Sequence, residues 1–496
     1  MKKLLVANRG EIAIRIMKSA QSKGIRTVAI YSESDVEAPH RFFADESYLV
    51  GEGPSSQSYL KSGKIIEIAK GMRCDAIHPG YGFLSENADF AEAVVNAGLI
   101  FVGPGPASMR MMGDKLSAKQ LAQSLKIPLV PGSDQPITDL ESAKEIASTI
   151  QYPILLKAAG GGGGKGMRIV RSPEDLDASF QTAASEAFQS FGDARIFIER
   201  YLESPRHIEV QIMADHHGNV LHIFERDCSI QRRHQKVIEE SPAPHLSEML
   251  RDQMTSAAIR MAKGCKYTGA GTLEFLVDGN DQFYFLEMNT RLQVEHPVSE
   301  MISGLDLVAW QLDIANNQPL PLVQDEVIQR GHSIELRIYA EDPLENFSPS
   351  LGHLEKYQEP NGEQIRIDSG VRQGYEIPIY YDPLLAKLIV WAENRNEAIG
   401  LMKQAIREYQ IEGIKTTLPF GNFVLDHKSF REGNYNTRFI EKYFSPENYH
   451  TWSDKKAQVA AIAAGAMMAF KKGNKQIDSG NTAWWSARKW NEKGLQ

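Results

Sequence analysis

A chain of 496 residues is too long for one small core and predicts several domains. Its 42% apolar and 24% charged residues are ordinary for a globular protein, and a net charge of −8 argues against bulk nucleic-acid binding. Three cysteines, Cys74, Cys228 and Cys265, show no paired spacing, which argues against a disulfide framework or a thiolate zinc site. The apolar run Leu4 to Ala7 is too short for a secretory signal, and 457–470 falls short of a membrane span. The expectation is a cytoplasmic protein with no membrane partner.

In chain order, KLLVAN, RGEIAIRIMKSAQSKG and RTVAIYS read as strand, helix and strand, with Gly24 as the helix stop. A βαβ start predicts a parallel sheet with covered faces. DAIHPGYG and LIFVGPGP continue the pattern, so the first domain is placed at 1–113. DKLSAKQLAQSLK predicts a helix from Asp114. The segment from Pro131 to Tyr201 then reads as a small unit: helix 139–150, strand PILLK, a glycine run, strand MRIV, a helix capped by Ser172-Pro173, and strand RIFIERYL. A strand pair is expected around HHGN and a hairpin over 271–289. Beyond Gly331, HSIELRIYA, EQIRIDS and AKLIVWA predict strands, followed by a helix over 396–409. The stretch 457–470 is alanine-rich and expected to be helical. The end TAWWSARKWNEK holds three of six tryptophans and suits either a self-packed helix or a docking segment.

KAAGGGGGKGMRIV carries five consecutive glycines between apolar strands, which argues against a flexible linker. Lys165 is followed by Gly166 rather than Ser or Thr, so the Walker pattern fails. A strand follows the run, so no helix N-terminus is available for a pyrophosphate. The remaining reading is a hairpin loop of bare N–H groups closing over polyphosphate, with Lys157 adding charge.

In GTLEFLVDGNDQFYFLEMN, pairing Asp278 with Phe283 across a four-residue turn sets Glu274 opposite Glu287 and Thr272 opposite Asn289. Two carboxylates and an amide oxygen on one face suit Mg²⁺; a solvent-facing polar edge is the other reading. In NTRLQVEHP an extended backbone would point Arg291, Gln293 and Glu295 the same way. Spacing alone favours an exposed strand face there, although the set also suits gripping and deprotonating a small oxyanion. ERDCSIQRRHQKVIEE has almost no apolar periodicity and reads either as solvated surface or as phosphate and bicarbonate contacts.

Together ANRGEIAIRI, IHPGYGFLSEN, FVGP, MGDK, KAAGGGGGKGMRIV, ERDCSIQRRHQK, GAGTLEFL, FLEMNTRLQVEHPVSEMISGLDLV, ELRIYAEDP and EGIKTT resemble the biotin carboxylase component of biotin-dependent carboxylases, in the ATP-grasp superfamily. They run in family order over about 1–445, with Ser299 where Thr is common and Lys165 where Arg is common. The resemblance implies an α/β fold in three domains: a Rossmann-like N-terminal domain, an ATP-grasp domain over 114–333 with a lid at 131–203, and a C-terminal α+β domain over 334–446. A tail follows at 447–496. It also implies a reaction in which MgATP phosphorylates bicarbonate to carboxyphosphate, which carboxylates biotin on a carrier. Mn²⁺ is an alternative to Mg²⁺.

By matching motif, Lys115, Lys157, His207, Gln231 and His234 would contact ATP. Glu199 and Leu202 would border its base, and Gly162, Gly163 and Gly164 would close over its phosphates. Glu274, Glu287 and Asn289 would hold the metal. Lys236, Arg291, Gln293 and Val294 would hold bicarbonate, with Glu295 as general base. Arg337 would stabilise the biotin enolate beside Tyr81.

The biotinylated Ala-Met-Lys-Met context does not occur in the chain, so a carrier protein and a carboxyltransferase on separate chains are expected partners, in a homodimer or larger complex. Another ATP-grasp carboxylate–amine ligase and a non-catalytic nucleotide-binding subunit are the competing readings.

Overall fold

The computed structural model describes residues 1–159 and 167–458, with 462, 464 and 467. The chain divides into two compact units, 1–440 and 441–496. In the second, residues 446–458 are helical. The glycine run, most of the alanine-rich stretch and all of the tryptophan-rich end lie outside the described residues.

The first unit opens as expected. Strand β1 (Lys3–Val6), helix α1 (Gly10–Ser22) and strand β2 (Arg26–Ser32) are joined by β3 (Glu46–Gly51), β4 (Ala76–His78) and β5 (Ile100–Phe101). They form a parallel sheet of order β3-β2-β1-β4-β5. Helix α1 buries Ile12, Ile16 and Met17, each contributing roughly 1.5–3 kcal/mol against exposure. Gly24 has φ +71°, the left-handed conformation that ends a helix at low cost to glycine.

The strand order reverses between β1 and β4, where parallel sheets place functional loops. There Asn8 Nδ2 donates to the carbonyls of Pro79 and Tyr81, both at 2.7 Å. Gly80 lies with φ +66°, and a Cβ on it would sit 2.9 Å from Asn8 Nδ2, so the loop closes this tightly only with glycine.

Asp114 caps helix α2 (Lys115–Ser124) through Ser117 N. The small unit follows with α3 (Leu140–Ile150), β6 (Ile154–Ala158), β7 (Met167–Val170), α4 (Leu176–Phe191) and β8 (Ile196–Arg200), in a sheet of order β7-β6-β8. Lys157 pairs with Met167, so antiparallel strands flank the glycine run. One boundary differs from the sequence reading. Ser172-Pro173 opens a short 3₁₀ turn, and the α-helix starts at Leu176. The Ser172 hydroxyl bonds Asp175 instead of capping a backbone N–H.

The dominant sheet has eight strands: β9 (Arg206–Ala214), β10 (Val220–Arg232), β11 (Gln235–Ser241), β12 (Gly269–Val277), β13 (Phe283–Asn289), β14 (His332–Tyr339), β15 (Ile365–Ser369) and β16 (Leu384–Ala392). Their spatial order is β13-β12-β9-β10-β11-β14-β16-β15. On one side α5 (Glu248–Gly264) covers β9 and β10 with Leu250, Met254, Met261 and neighbours. Helix α6 (His296–Ser303) lies against β14 and β16.

Apart from its exposed turn at Arg233 and His234, the charge-rich stretch Glu225 to Glu240 is not solvated surface. It forms β10 and β11, with Glu225, Arg226, Glu239 and Glu240 all at 0% exposure. Periodicity fails because the buried faces are ionic rather than apolar. Arg226 is satisfied by Glu209 Oε1 at 2.6 Å, Gln211 at 2.8 Å, Ser299 at 3.0 Å and Thr272 at 3.2 Å. Buried charge survives only when paired in this way.

Candidate active site

The β12–β13 hairpin sets the acidic residues. Thr272 faces Asn289 and Glu274 faces Glu287, as expected, but the turn end differs. Val277 pairs with Phe283, and Phe275 with Phe285, so Leu276 faces Tyr284 and the loop holds five residues rather than four. A bulge at Leu286, between the Phe275–Phe285 and Glu274–Glu287 pairs, restores the register before the carboxylates.

Lys236 on β11 stands at the centre. Its Nζ lies 2.5 Å from Glu209, 2.8 Å from Glu274 and 2.7 Å from Glu295. Glu274 also accepts from Asn289 Nδ2 at 2.9 Å and Gln293 Nε2 at 3.2 Å, and its Oε2 is 3.0 Å from His207 Nε2. Gln231 Nε2 meets His207 Nδ1 at 3.0 Å. Burial opposes ionisation of Glu274, but Lys236 and His207 hold its carboxyl well below the usual range. Glu287 behaves oppositely. Desolvation and the carboxylates of Glu274 and Glu86 raise it.

The segment after β13 is not extended throughout. It turns at Val294, and Glu295 occupies the position preceding α6. The side chains still converge. Arg291 reaches Gln293 Oε1 at 2.9 Å and Asn289 Oδ1 at 3.0 Å, while its Nε donates to Glu86 at 2.9 Å. Glu86, in the FLSEN segment, also accepts from Thr290 N, and no spacing rule in the sequence pointed to it. Glu295 is fully buried between Lys236 and Arg337, whose Nη2 lies 2.9 Å from it. Burial pushes its carboxyl up, yet Lys236, Arg337 and Arg226 together hold it well below the ordinary value. The Val294 carbonyl accepts from Lys387 Nζ at 2.9 Å.

A second cluster lies on the small unit. Glu199 is held by both Lys157 and Lys119. Burial works against its charge, and the two ammonium groups outweigh it. Lys119 lies on α2 one turn beyond Lys115 and went unread in the sequence. Leu202 is half-buried after β8, and His234 is exposed at the β10–β11 turn. Tyr81 packs on the core around α1. Among the described residues, neither Leu202, His234 nor Tyr81 hydrogen-bonds to the Lys236 cluster. Gly162, Gly163 and Gly164 lie outside the described residues.

The residues expected to hold a metal fit a hard divalent cation. Glu274 and Glu287 face each other with like charge, Asn289 beside them supplies an oxygen that here accepts from Arg291, and Glu287 has no cation of its own among the described ion pairs. His207, Glu209 and Glu274 also bring ligand atoms within 4.8 Å of one another, although Lys236 already occupies the Glu209 side.

A parallel sheet, a small antiparallel unit carrying a glycine-rich connection, and a large sheet presenting paired acids and a half-buried lysine define an ATP-grasp ligase architecture. The chain matches the family models for the biotin carboxylase N-terminal domain over 1–109, the carbamoyl-phosphate synthase L chain ATP-binding domain over 114–323 and the biotin carboxylase C-terminal domain over 335–442. It is 51% identical over 442 residues to biotin carboxylase of Halalkalibacterium halodurans, covering 89% of this chain and 98% of that one. It is 49% identical to the mitochondrial methylcrotonoyl-CoA carboxylase subunit alpha of Dictyostelium discoideum, covering 88% of this chain and 63% of that longer one. Among solved structures, a Campylobacter jejuni biotin carboxylase–beta-gamma-ATP complex superimposes with TM-score 0.85 at 48% identity, over 89% of this chain and 98% of that one. A Hydrogenobacter thermophilus 2-oxoglutarate carboxylase biotin carboxylase domain dimer, bound to MgADP and bicarbonate, gives 0.85 at 46%, over 90% and 98%.

This chain belongs to the biotin carboxylase family. It is an ATP-dependent ligase of the carboxylase class. No helix among the described residues is long and apolar enough to cross a membrane.

Proposed function

We propose that this chain carboxylates biotin presented by a carrier on a separate polypeptide, using bicarbonate activated by MgATP through carboxyphosphate. The observation that carries the reading is Lys236, an ammonium joining Glu274 of the acid pair to Glu295 of the reacting segment within 2.8 Å of each. A cation placed there can bind an anionic one-carbon substrate between the phosphate-side and biotin-side residues.

Glu274, Glu287 and Asn289 would hold Mg²⁺, which neutralises charge on the phosphates during transfer. Lys157, Lys115, His207, Gln231 and His234 would bind the nucleotide, with Glu199 and Leu202 beside its base. Gly162, Gly163 and Gly164 would cover the phosphates and exclude water. Arg291, Gln293 and Val294 would hold bicarbonate with Lys236. Glu295 is held charged by Lys236 and Arg337. When bicarbonate engages those cations, the carboxylate's proton affinity rises and it accepts the substrate proton. Arg337 would then steady negative charge developing on biotin, beside Tyr81.

The proposed domains are 1–113, 114–333 with a lid at 131–203, 334–446 and a tail at 447–496. A carrier and a carboxyltransferase on separate chains would be the partners. Cytoplasmic location and a homodimer or larger complex complete the proposal. The test is ADP release from the purified chain with MgATP. Release should require bicarbonate and rise with free biotin. Release driven instead by an amino acid in place of biotin would refute it.

A further inference from the structure

We propose that Glu239, together with the facing Glu335, is a positioning residue that sets the Arg337 guanidinium at the reacting end of the site; the proposal rests on the role given to Arg337 above. Glu239 lies on β11 and Arg337 on β14. Glu239 Oε1 is 2.6 Å from Arg337 Nε, while Arg337 Nη2 is 2.9 Å from Glu295 and Nη1 is 3.3 Å from the Tyr339 hydroxyl. Two carboxylates therefore take the Nε and Nη2 positions. Nη1, with only a long contact to a phenol, is left as the donor for a negative charge forming on substrate.

Glu239 has no other visible task. It is 0% exposed, and neither oxygen makes a well-aligned hydrogen bond among the described residues; the Nε contact is close but out of line. A buried carboxylate without donors is costly unless an ion compensates it. Arg337 is the ion within reach.

Glu335 stands directly opposite Glu239 in the β11–β14 ladder, also 0% exposed and also without a hydrogen-bond donor on either oxygen. Side by side on one sheet face, the two cannot both ionise cheaply. The charged or titratable groups around the pair are Arg337 and Tyr339 on β14, Lys236 on β11, Cys228 on β10, Lys387 on β16 and Glu295 before α6. Lys387 is already engaged by Val294 O, Glu11 and Asp368.

Burial pushes Glu239 up to about 7, against the pull of Arg337, and pushes Glu335 well above the carboxylate range. Near neutrality Glu239 thus passes between charged and neutral forms, beside a Glu335 whose carboxyl burial disfavours charging. Charged Glu239 fixes Arg337; protonated Glu239 releases it. Ionisation of Glu335 would add a second negative charge beside Glu295 and the forming enolate.

The test is steady-state ATP hydrolysis with bicarbonate and free biotin by the full chain, for wild type, Glu239→Gln, Glu335→Gln and Arg337→Ala, over about pH 6 to 9. Glu239→Gln is expected to lower biotin-stimulated kcat roughly 10- to 100-fold, the cost of a misplaced group, with KM for ATP within about twofold. It should also lose the rise in kcat through about pH 7. Glu335→Gln, which cannot ionise, is expected to change the shape of the pH profile. The proposal is overturned if Glu239→Gln keeps wild-type kcat, loses ATP affinity in equal measure, or keeps the neutral limb. Should Glu239→Gln fail to fold, a Glu335→Gln profile superimposable on wild type overturns it instead. If Arg337→Ala leaves turnover intact, the role of Arg337 itself is wrong; if only Glu239→Gln does, that role stands and this proposal alone falls.

Discussion

Lys236 holds three carboxylates, Glu209, Glu274 and Glu295, and each of them is buried. Its amine is held charged against burial by those neighbours. Replacing it with Gln leaves the trio without its shared cation. We expect biotin-dependent turnover to fall by roughly a hundredfold or more, the scale of losing a preorganised charge. The sign of the accompanying pH effect follows from Glu295. Lys236 keeps that carboxyl below its ordinary value, so removing it raises the carboxyl and moves the acid limb of kcat to higher pH. An unmoved acid limb in Lys236→Gln would deny that Glu295 is the base. At this scale Lys236, Glu274, Arg291, Gln293, Glu295 and Arg337, which the structure gathers, are each singled out by the sequence. Glu86, Lys119 and Glu239 are not, because each gains its role from a partner at a sequence separation no local pattern encodes.

Elements carry those residues to their places, and the β12–β13 hairpin shows where pattern reading works and where it slips. The pairing of Glu274 with Glu287 was correct although the assumed turn was one residue too short, because the bulge at Leu286 absorbs the difference. Turn residues DGND give no direct sign of a bulge, whereas opposed acids on one face constrain the far end chemically. The facing pair also makes a prediction with two opposite signs. Glu287→Gln removes a like charge across the ladder, which should stabilise the metal-free protein by about 0.2–1 kcal/mol. The same change should raise the Mg²⁺ needed for half-maximal activity roughly tenfold or more. Thermal midpoints without metal and Mg²⁺ activation curves read the two effects. A variant less stable without metal, or unchanged in Mg²⁺ requirement, would place the cation elsewhere.

Across the first unit, the strands and helices of the opening sheet and of the small unit were largely legible from apolar periodicity, while α5, α6 and the ionic interior were not. β10, β11, β14, β15 and β16 bury Arg226, Glu239, Glu240, Arg337, Asp368 and Lys387 on faces where an apolar pattern would be expected. Such a sheet depends on protonation state. Glu240 accepts from Arg395 at 2.7 and 2.8 Å and lies 2.6 Å from His332 Nε2. Burial opposes its charge, yet His332 and Arg395 pull it from the ordinary 4.5 down to about 2. A folded value below the unfolded one means stability fully present above about 4.5 and lost as pH falls through about 2. Asp35, drawn down to about 2 by Arg9 despite burial, adds in the same window. Two shielded imidazoles, the buried His40 and the half-buried His222, act earlier. Burial lowers His40 and His222 from 6.5 to about 4, so unfolding takes up protons and stability begins to fall below about 6.5. Thermal midpoints should therefore decline in two stages on acidification. Glu240→Gln should unfold more easily at neutral pH, by roughly 3–5 kcal/mol for Arg395 left without its carboxylate. Its midpoint should also vary less than wild type between about pH 4.5 and 2, since the group that titrates there is gone. Parallel acid profiles for the two proteins would show that Glu240 does not carry this part of the linkage.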